Sequence, residues 1–290
     1  MVLSNGHTLG YSTCGSPESP TIFFMHGYPA SRLEGFFTLD VAEKVGARIV
    51  CPDRPGIGLS TLNPRSRLLD YPNYISELAS HLGLQNYRII GGSGGAPYAL
   101  ACAKMLPRDQ LKGVGIVAGV APMELGLSGV PLKRRLFFNL MSIAPGVLKF
   151  FYDRPIVRAI VNGEESVVRK MIQAHNKRLT PRERDIFSRD PQNIEKAMRM
   201  VLEHFRQGSA ASINEMRFFL QKSWGFRLED VDFEGVKLWY GTDDINTPAE
   251  MGRKMASRLK GAILKEYPGE THFTLIDEYG EEIFKDMLDT

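Results

Sequence analysis

The sequence predicts an α/β protein with a mostly parallel central sheet, flanked by helices and interrupted by a helical insertion. Three observations predict it. Short apolar runs rich in Ile, Val and Phe alternate with helix-like segments through the first 120 residues, as strands joined by crossover helices do. From about Leu125 to Asp230 the strand signal disappears, and apolar residues recur at helical spacing. Strand character returns between Val236 and Tyr267, so one sheet is interrupted rather than two domains joined. The expected division is a core from residues 1–124 and 231–290, with residues 125–230 inserted as a cap.

Taken in order, Gly6 to Gly15 reads as a hairpin. Strands follow at Thr21 to Met25, Ala47 to Cys51, Tyr87 to Ile90 and Val114 to Ala118. Each is a near-continuous apolar run, the pattern of a strand buried on both faces. Helices are expected between them at Arg32 to Lys44, Tyr71 to Leu82 and Ala96 to Leu106. The last stops before Pro107, because proline pushes the preceding residue out of helical geometry. In the insertion, Glu164 to Arg178, Asn193 to Gln207 and Ala210 to Lys222 read as helices. Strands at Val236 to Tyr240 and Ala262 to Tyr267 and a helix around Glu278 to Leu288 close the chain.

Composition narrows the function classes. The 290 residues are 43% hydrophobic, with 36 basic and 33 acidic side chains and a net charge of +3. That balance offers no concentrated basic face for nucleic acid. Residues 125–230 hold 19 of the basic and 11 of the acidic side chains, so a basic segment interrupts an acidic remainder. No stretch approaches the roughly 20 apolar residues of a membrane-spanning helix. Cys14, Cys51 and Cys102 form neither a disulfide framework nor a zinc spacing, and no metal is expected. Met1 to His7 lacks the basic start and apolar core of a secretory signal, so a cytoplasmic location is expected.

The sharpest local signal is Gly91-Gly92-Ser93-Gly94-Gly95, directly after the Tyr87 to Ile90 run and before a helical segment. It fits the Gly-x-Ser-x-Gly turn that presents a nucleophilic serine between strand and helix. A dinucleotide fingerprint begun at Gly92 would need glycine where Pro97 stands. A serine hydroxyl is a weak nucleophile, so it requires a histidine base and a carboxylate to orient that base. His272, in a loop after the last strand, is the expected base, whereas His175 and His204 fall within helices of the insertion. For the acid, Asp243 and Asp244 compete after the Val236 to Tyr240 strand. Asp244 is favoured, with Asp243 pointing out of the turn and Glu124 in reserve.

Together with His26-Gly27-Tyr28-Pro29 and Asp53-Arg54-Pro55-Gly56-Ile57-Gly58-Leu59-Ser60, these motifs resemble the α/β-hydrolase superfamily, in its serine-nucleophile branch with a helical cap. The resemblance spans nearly the whole chain, and only the insertion lacks a recognisable motif. It implies that the backbone amides of Tyr28 and Gly94 form an oxyanion hole, and that Asp53 and Arg54 tie down a loop rather than do chemistry. Proline iminopeptidases of the superfamily carry His-Gly-Gly-Pro-Gly and many lipases His-Gly-Gly-Gly, and neither string stands at His26. Epoxide hydrolases and haloalkane dehalogenases place aspartate where Ser93 stands.

The expected activity is hydrolysis of a carboxylic ester, thioester or lactone of a small to medium apolar substrate through an acyl-enzyme, with no cofactor. The alternative is a lyase or carbon-carbon bond-forming catalyst using the same three residues for acid-base work. A ligand receptor on this fold would usually show damage at one of them, and all three are filled. Aromatic residues of the insertion, Phe137, Phe138, Phe218 and Trp224 among them, are candidates to roof a substrate pocket. Lys133-Arg134-Arg135 reads as a solvated helix face. A small-molecule substrate is the expected partner, and a homodimer is compatible with the sequence.

Overall fold

The computed structural model describes residues 1–289. Its strands are β1 (Tyr11–Cys14), β2 (Thr21–Met25), β3 (Arg48–Pro52), β4 (Tyr87–Gly92), β5 (Leu111–Val117), β6 (Lys237–Gly241) and β7 (Ile263–Tyr267). Its α-helices are α1 (Leu39–Val45), α2 (Tyr71–His81), α3 (Ala96–Met105), α4 (Leu132–Ile143), α5 (Pro145–Tyr152) and α6 (Arg158–Val161). They continue with α7 (Glu165–Asn176), α8 (Pro181–Arg189), α9 (Pro191–His204), α10 (Ala210–Leu220), α11 (Ala249–Ala256) and α12 (Thr274–Leu288).

The strands form one sheet in the order β1-β3-β2-β4-β5-β6-β7. Only β1 runs antiparallel to its neighbour; every other adjacent pair is parallel. All five residues of β2 are buried, as its apolar run requires of a strand covered on both faces. Alternation sends Phe23 into the layer with α2, α3 and α11, and Phe24 into the opposite layer with α1 and α12. The expected parallel sheet, and its interruption after β5, are both present.

Three local expectations differ. Gly6 to Gly15 is not a hairpin: a single Val2–Thr8 bridge closes a turn, and β1 reaches across to pair with β3. The segment expected as one helix from Arg32 divides into a 3-10 stretch, Arg32–Thr38, and α1. α12 begins at Thr274, where the Thr274 hydroxyl accepts the Thr271 N–H at 2.8 Å and buried Leu275 anchors the first turn. Between β5 and β6 the chain supplies helices but no strand, including α4, α5, α6 and α8 beyond the three expected. There α9 packs on the Arg32–Thr38 stretch and α8 on α12. Among the described residues, no helix is long and apolar enough to cross a membrane.

Strand order positions the site. The order reverses between β2 and β4, and their carboxyl ends lie side by side, with Met25 in register with Gly91. The loops leaving these two ends therefore meet at the crevice where open α/β sheets bind ligands.

Candidate active site

β4 ends at Gly92 and α3 begins at Ala96, so Ser93 turns the chain within three residues. Its φ of +49° is a left-handed value that strains a residue bearing a Cβ. The flanking glycines supply the space. A Cβ on Gly91 would stand 2.8 Å from Ala99 Cβ, and one on Gly95 only 2.0 Å from the Met25 carbonyl oxygen. The Ser93 carbonyl is pinned by the Val120 N–H at 3.1 Å.

The loops after β6 and β7 bring two further groups to this serine. A Cβ on Gly241 would lie 2.1 Å from the Glu270 carbonyl oxygen, so glycine there lets the two loops abut. Across that contact, His272 Nδ1 lies 2.7 Å from Asp244 Oδ2, and His272 Nε2 lies 3.0 Å from Ser93 Oγ. A carboxylate only accepts, so Nδ1 carries the proton and Nε2 is left to accept from the serine. Asp244 is buried and further held by the N–H groups of Asn246, at 2.7 Å, and Thr247, at 3.0 Å. Asp243 is exposed and Glu124 is exposed, and neither joins this chain of contacts.

Electrostatics follow the geometry. Burial alone would lower the pKa of His272, but the charge and hydrogen bond of Asp244, with the charges of Glu34 and Glu183, outweigh it and raise the pKa above 6.5. For Asp244, burial is likewise outweighed, here by His272 and Thr247, and the carboxyl is held below its ordinary 3.8. The arrangement can draw a proton from Ser93 and stabilise the imidazolium that results.

Tyr28 and Gly94 lie against each other beside the serine. A Cβ on Gly94 would stand 3.3 Å from the Tyr28 backbone nitrogen, and one on Gly27 would stand 3.4 Å from Ser93 Cβ. The aromatic expectations fare unevenly. Phe219, not Phe218, reaches this corner: its ring edge would stand 3.0 Å from a Cβ on Gly94, and its ring centroid is 5.4 Å from that of Tyr28. Phe218 is half-buried. Trp224 is absorbed into the main core beside Phe226, so it packs the scaffold rather than a pocket. Phe138 packs partly on the same core, while Phe137 is exposed. For the phenylalanines the outcome depends on which way each helix face turns, which spacing alone does not set, and Trp224 lies in the loop after α10.

Three residues at the site carry no motif in the sequence. The Thr247 hydroxyl lies 2.8 Å from Asp244 Oδ2 and 2.7 Å from the Ala118 carbonyl oxygen. Asp-x-x-Thr spacing in a turn is the signal that could have found it. The Glu34 carboxylate accepts the Gly27 N–H. Glu183, at the start of α8, adds its charge near His272. Basic-run residues are engaged: Arg134 donates to the Ile245 carbonyl at 2.7 Å and Arg135 to that of Val130 at 2.7 Å. His204 is fully buried, with Nδ1 on the Ala30 carbonyl at 2.6 Å, and His175 is exposed. Among the described residues, no group of three or more His, Cys, Asp or Glu side chains could hold a metal ion.

Comparison with known proteins agrees with this architecture. The chain is 25% identical to a bifunctional esterase/perhydrolase of Acinetobacter calcoaceticus, over 99% of this chain and 97% of that protein. A proline iminopeptidase of Xylella fastidiosa is 30% identical, over 47% of this chain and 40% of that protein. An esterase from Exiguobacterium antarcticum shares the fold with a TM-score of 0.67 at 17% identity, covering 99% of this chain and 96% of that one. Residues 22–285 match the model of the alpha/beta hydrolase family. That match runs from β2 into α12 and takes in every loop of the candidate site, and the chain belongs to the alpha/beta hydrolase family.

Proposed function

We propose that the protein is a serine hydrolase that cleaves a carboxylic ester, thioester or lactone of a small to medium apolar substrate. The observation that carries this reading is the unbroken line from Ser93 Oγ through His272 to buried Asp244, at 3.0 and 2.7 Å. Ser93 Oγ attacks the carbonyl carbon while His272 Nε2 takes its proton. The oxyanion that forms is held by the backbone amides of Tyr28 and Gly94, each such donor contributing about 2.7 to 4 kcal/mol in the transition state. His272 then returns the proton to the leaving oxygen or sulfur, or to the ring oxygen of a lactone. Water, deprotonated by the same His272, resolves the acyl-enzyme.

Residues 125–230 act as a cap in this reading. Met141 and Met216 pack with Tyr28, Tyr152, Ile213 and Phe219, an apolar cluster that adjoins the serine through Tyr28 and Phe219. The esterase in the Acinetobacter relative's name supports an ester substrate. Turnover in oxygen-18 water tests the hydrolytic step against a lyase or condensation reaction run by the same residues. Label is expected in the carboxylate product, and its absence from every active substrate would contradict hydrolysis. A screen over acyl length should show preference for apolar groups, and indifference to acyl size would count against the apolar roof.

A further inference from the structure

The Gly27–Tyr28 peptide, whose N–H is one of the two proposed oxyanion donors, is gripped by a charged side chain from outside its own loop. Arg54 Nη2 donates to the Gly27 carbonyl at 2.8 Å, and Nη1 donates to that of His26. Arg54 is in turn held by Glu215 of α10, through Nε to Oε1 and through Nη2 to Oε2 at 3.1 Å. The side chains are 1% and 4% exposed, and the guanidinium lies 4.9 Å over the Tyr98 ring.

A buried ion pair is weak as a source of stability, because desolvating both charges offsets most of their attraction. Its geometry here has a different consequence. The carbonyl that accepts from Arg54 belongs to the same planar peptide unit as the Tyr28 N–H. A charged donor on that oxygen polarises the amide and fixes its plane, so the N–H becomes a stronger and better-aimed donor. Orientation set in advance is what makes an oxyanion donor effective.

We propose that Arg54 is a positioning residue for the Tyr28 amide and that Glu215 holds it in that role. The helical segment between β5 and β6 thereby completes the oxyanion site as well as roofing the pocket. This rests on the serine-hydrolase reading.

The test uses the double variant R54M/E215Q, which removes both charges together and leaves neither buried alone, with R54K as the conservative partner. Hydrolysis of a short-chain p-nitrophenyl ester is measured with the folded fraction read by circular dichroism. For R54M/E215Q, kcat per folded enzyme is expected to fall about 100-fold, the scale of a misplaced catalytic group, with KM changed less than about threefold. R54K should retain part of kcat, because an ammonium can reach one of the two carbonyls. A folded double variant with full kcat, a rise in KM alone, or a loss that merely follows the unfolded fraction would each overturn the proposal. If the double variant does not fold, E215Q alone carries the test: kcat is expected to fall at least about 10-fold at unchanged KM, and full kcat overturns it. Ser93→Ala run alongside separates the two readings. Turnover retained in Ser93→Ala sinks the hydrolase reading itself, whereas a dead Ser93→Ala beside a fully active R54M/E215Q sinks only this coupling.

Discussion

Glu34 acts on His272 through space, and its effect has a definite sign. The base works only when neutral, and Asp244, Glu34 and Glu183 all favour its protonated form. Activity should therefore fall as pH drops through a value above 6.5, and Glu34→Gln should move that acid limb of kcat/KM to lower pH. An unmoved limb, or one moved upward, would contradict the assignment. The adjacent aspartates give a sharper contrast. Asp244→Asn should cost about 10⁴ in kcat, the scale set by loss of the orienting carboxylate, while Asp243→Asn should leave kcat within about threefold. Equal losses in steady-state assays of the two would contradict the geometry. The contact line from Ser93 through His272 to Asp244 was legible in the sequence, because the first is announced by its own neighbours and the others by position after a strand. Glu34 and Glu183 were not, since each reaches the site from an element distant in sequence, and Thr247 left only the Asp-x-x-Thr spacing.

Elements were legible where burial dictates them. β2 was expected at its observed bounds because the four consecutive apolar residues after Thr21 have no solvent face to satisfy. The Gly6 to Gly15 hairpin failed because β1 finds its partner in β3, about 40 residues away, rather than in its neighbour. The turn between β4 and α3 shows what tight packing demands of an element. Gly95→Ala would set a Cβ 2.0 Å from the Met25 carbonyl oxygen, which belongs to backbone and cannot swing aside. The substitution should destabilise the fold by about 1 to 3 kcal/mol or more and displace Ser93 from His272. Chemical denaturation with parallel assays checks this, and unaltered stability together with full activity would contradict it.

For the whole molecule, the charge split along the sequence acquires a structural meaning. Arginines of the basic segment meet acidic residues of the sheet-bearing remainder, Arg182 with Glu270 at 3.1 Å and Arg189 with Asp277 at 3.2 Å, while Arg32 of the remainder meets Glu203 of the segment. The two pairs made by exposed Arg182 and Arg189 contribute little to stability. The buried Arg54–Glu215 pair and the buried His204–Ala30 contact also bridge the two parts. The chain has two tryptophans, Trp224 in the basic segment and Trp239 in β6, both in the core. Fluorescence of Trp224→Phe and Trp239→Phe should therefore show coincident unfolding transitions, and a separate early transition for Trp224 would contradict one cooperative unit. Sequence order already implied such a unit, because Ser93 precedes the insertion while Asp244 and His272 follow it. How the inserted helices reach the His26–Tyr28 loop was not legible, for it depends on α10 presenting Glu215 to Arg54. In the proposed mechanism this one unit makes Ser93 the nucleophile. Mass spectrometry after treatment with a fluorophosphonate tests this role: one adduct is expected, on the peptide containing Ser93, with labelling and turnover both lost in Ser93→Ala, whereas an adduct elsewhere or turnover surviving in Ser93→Ala would contradict it.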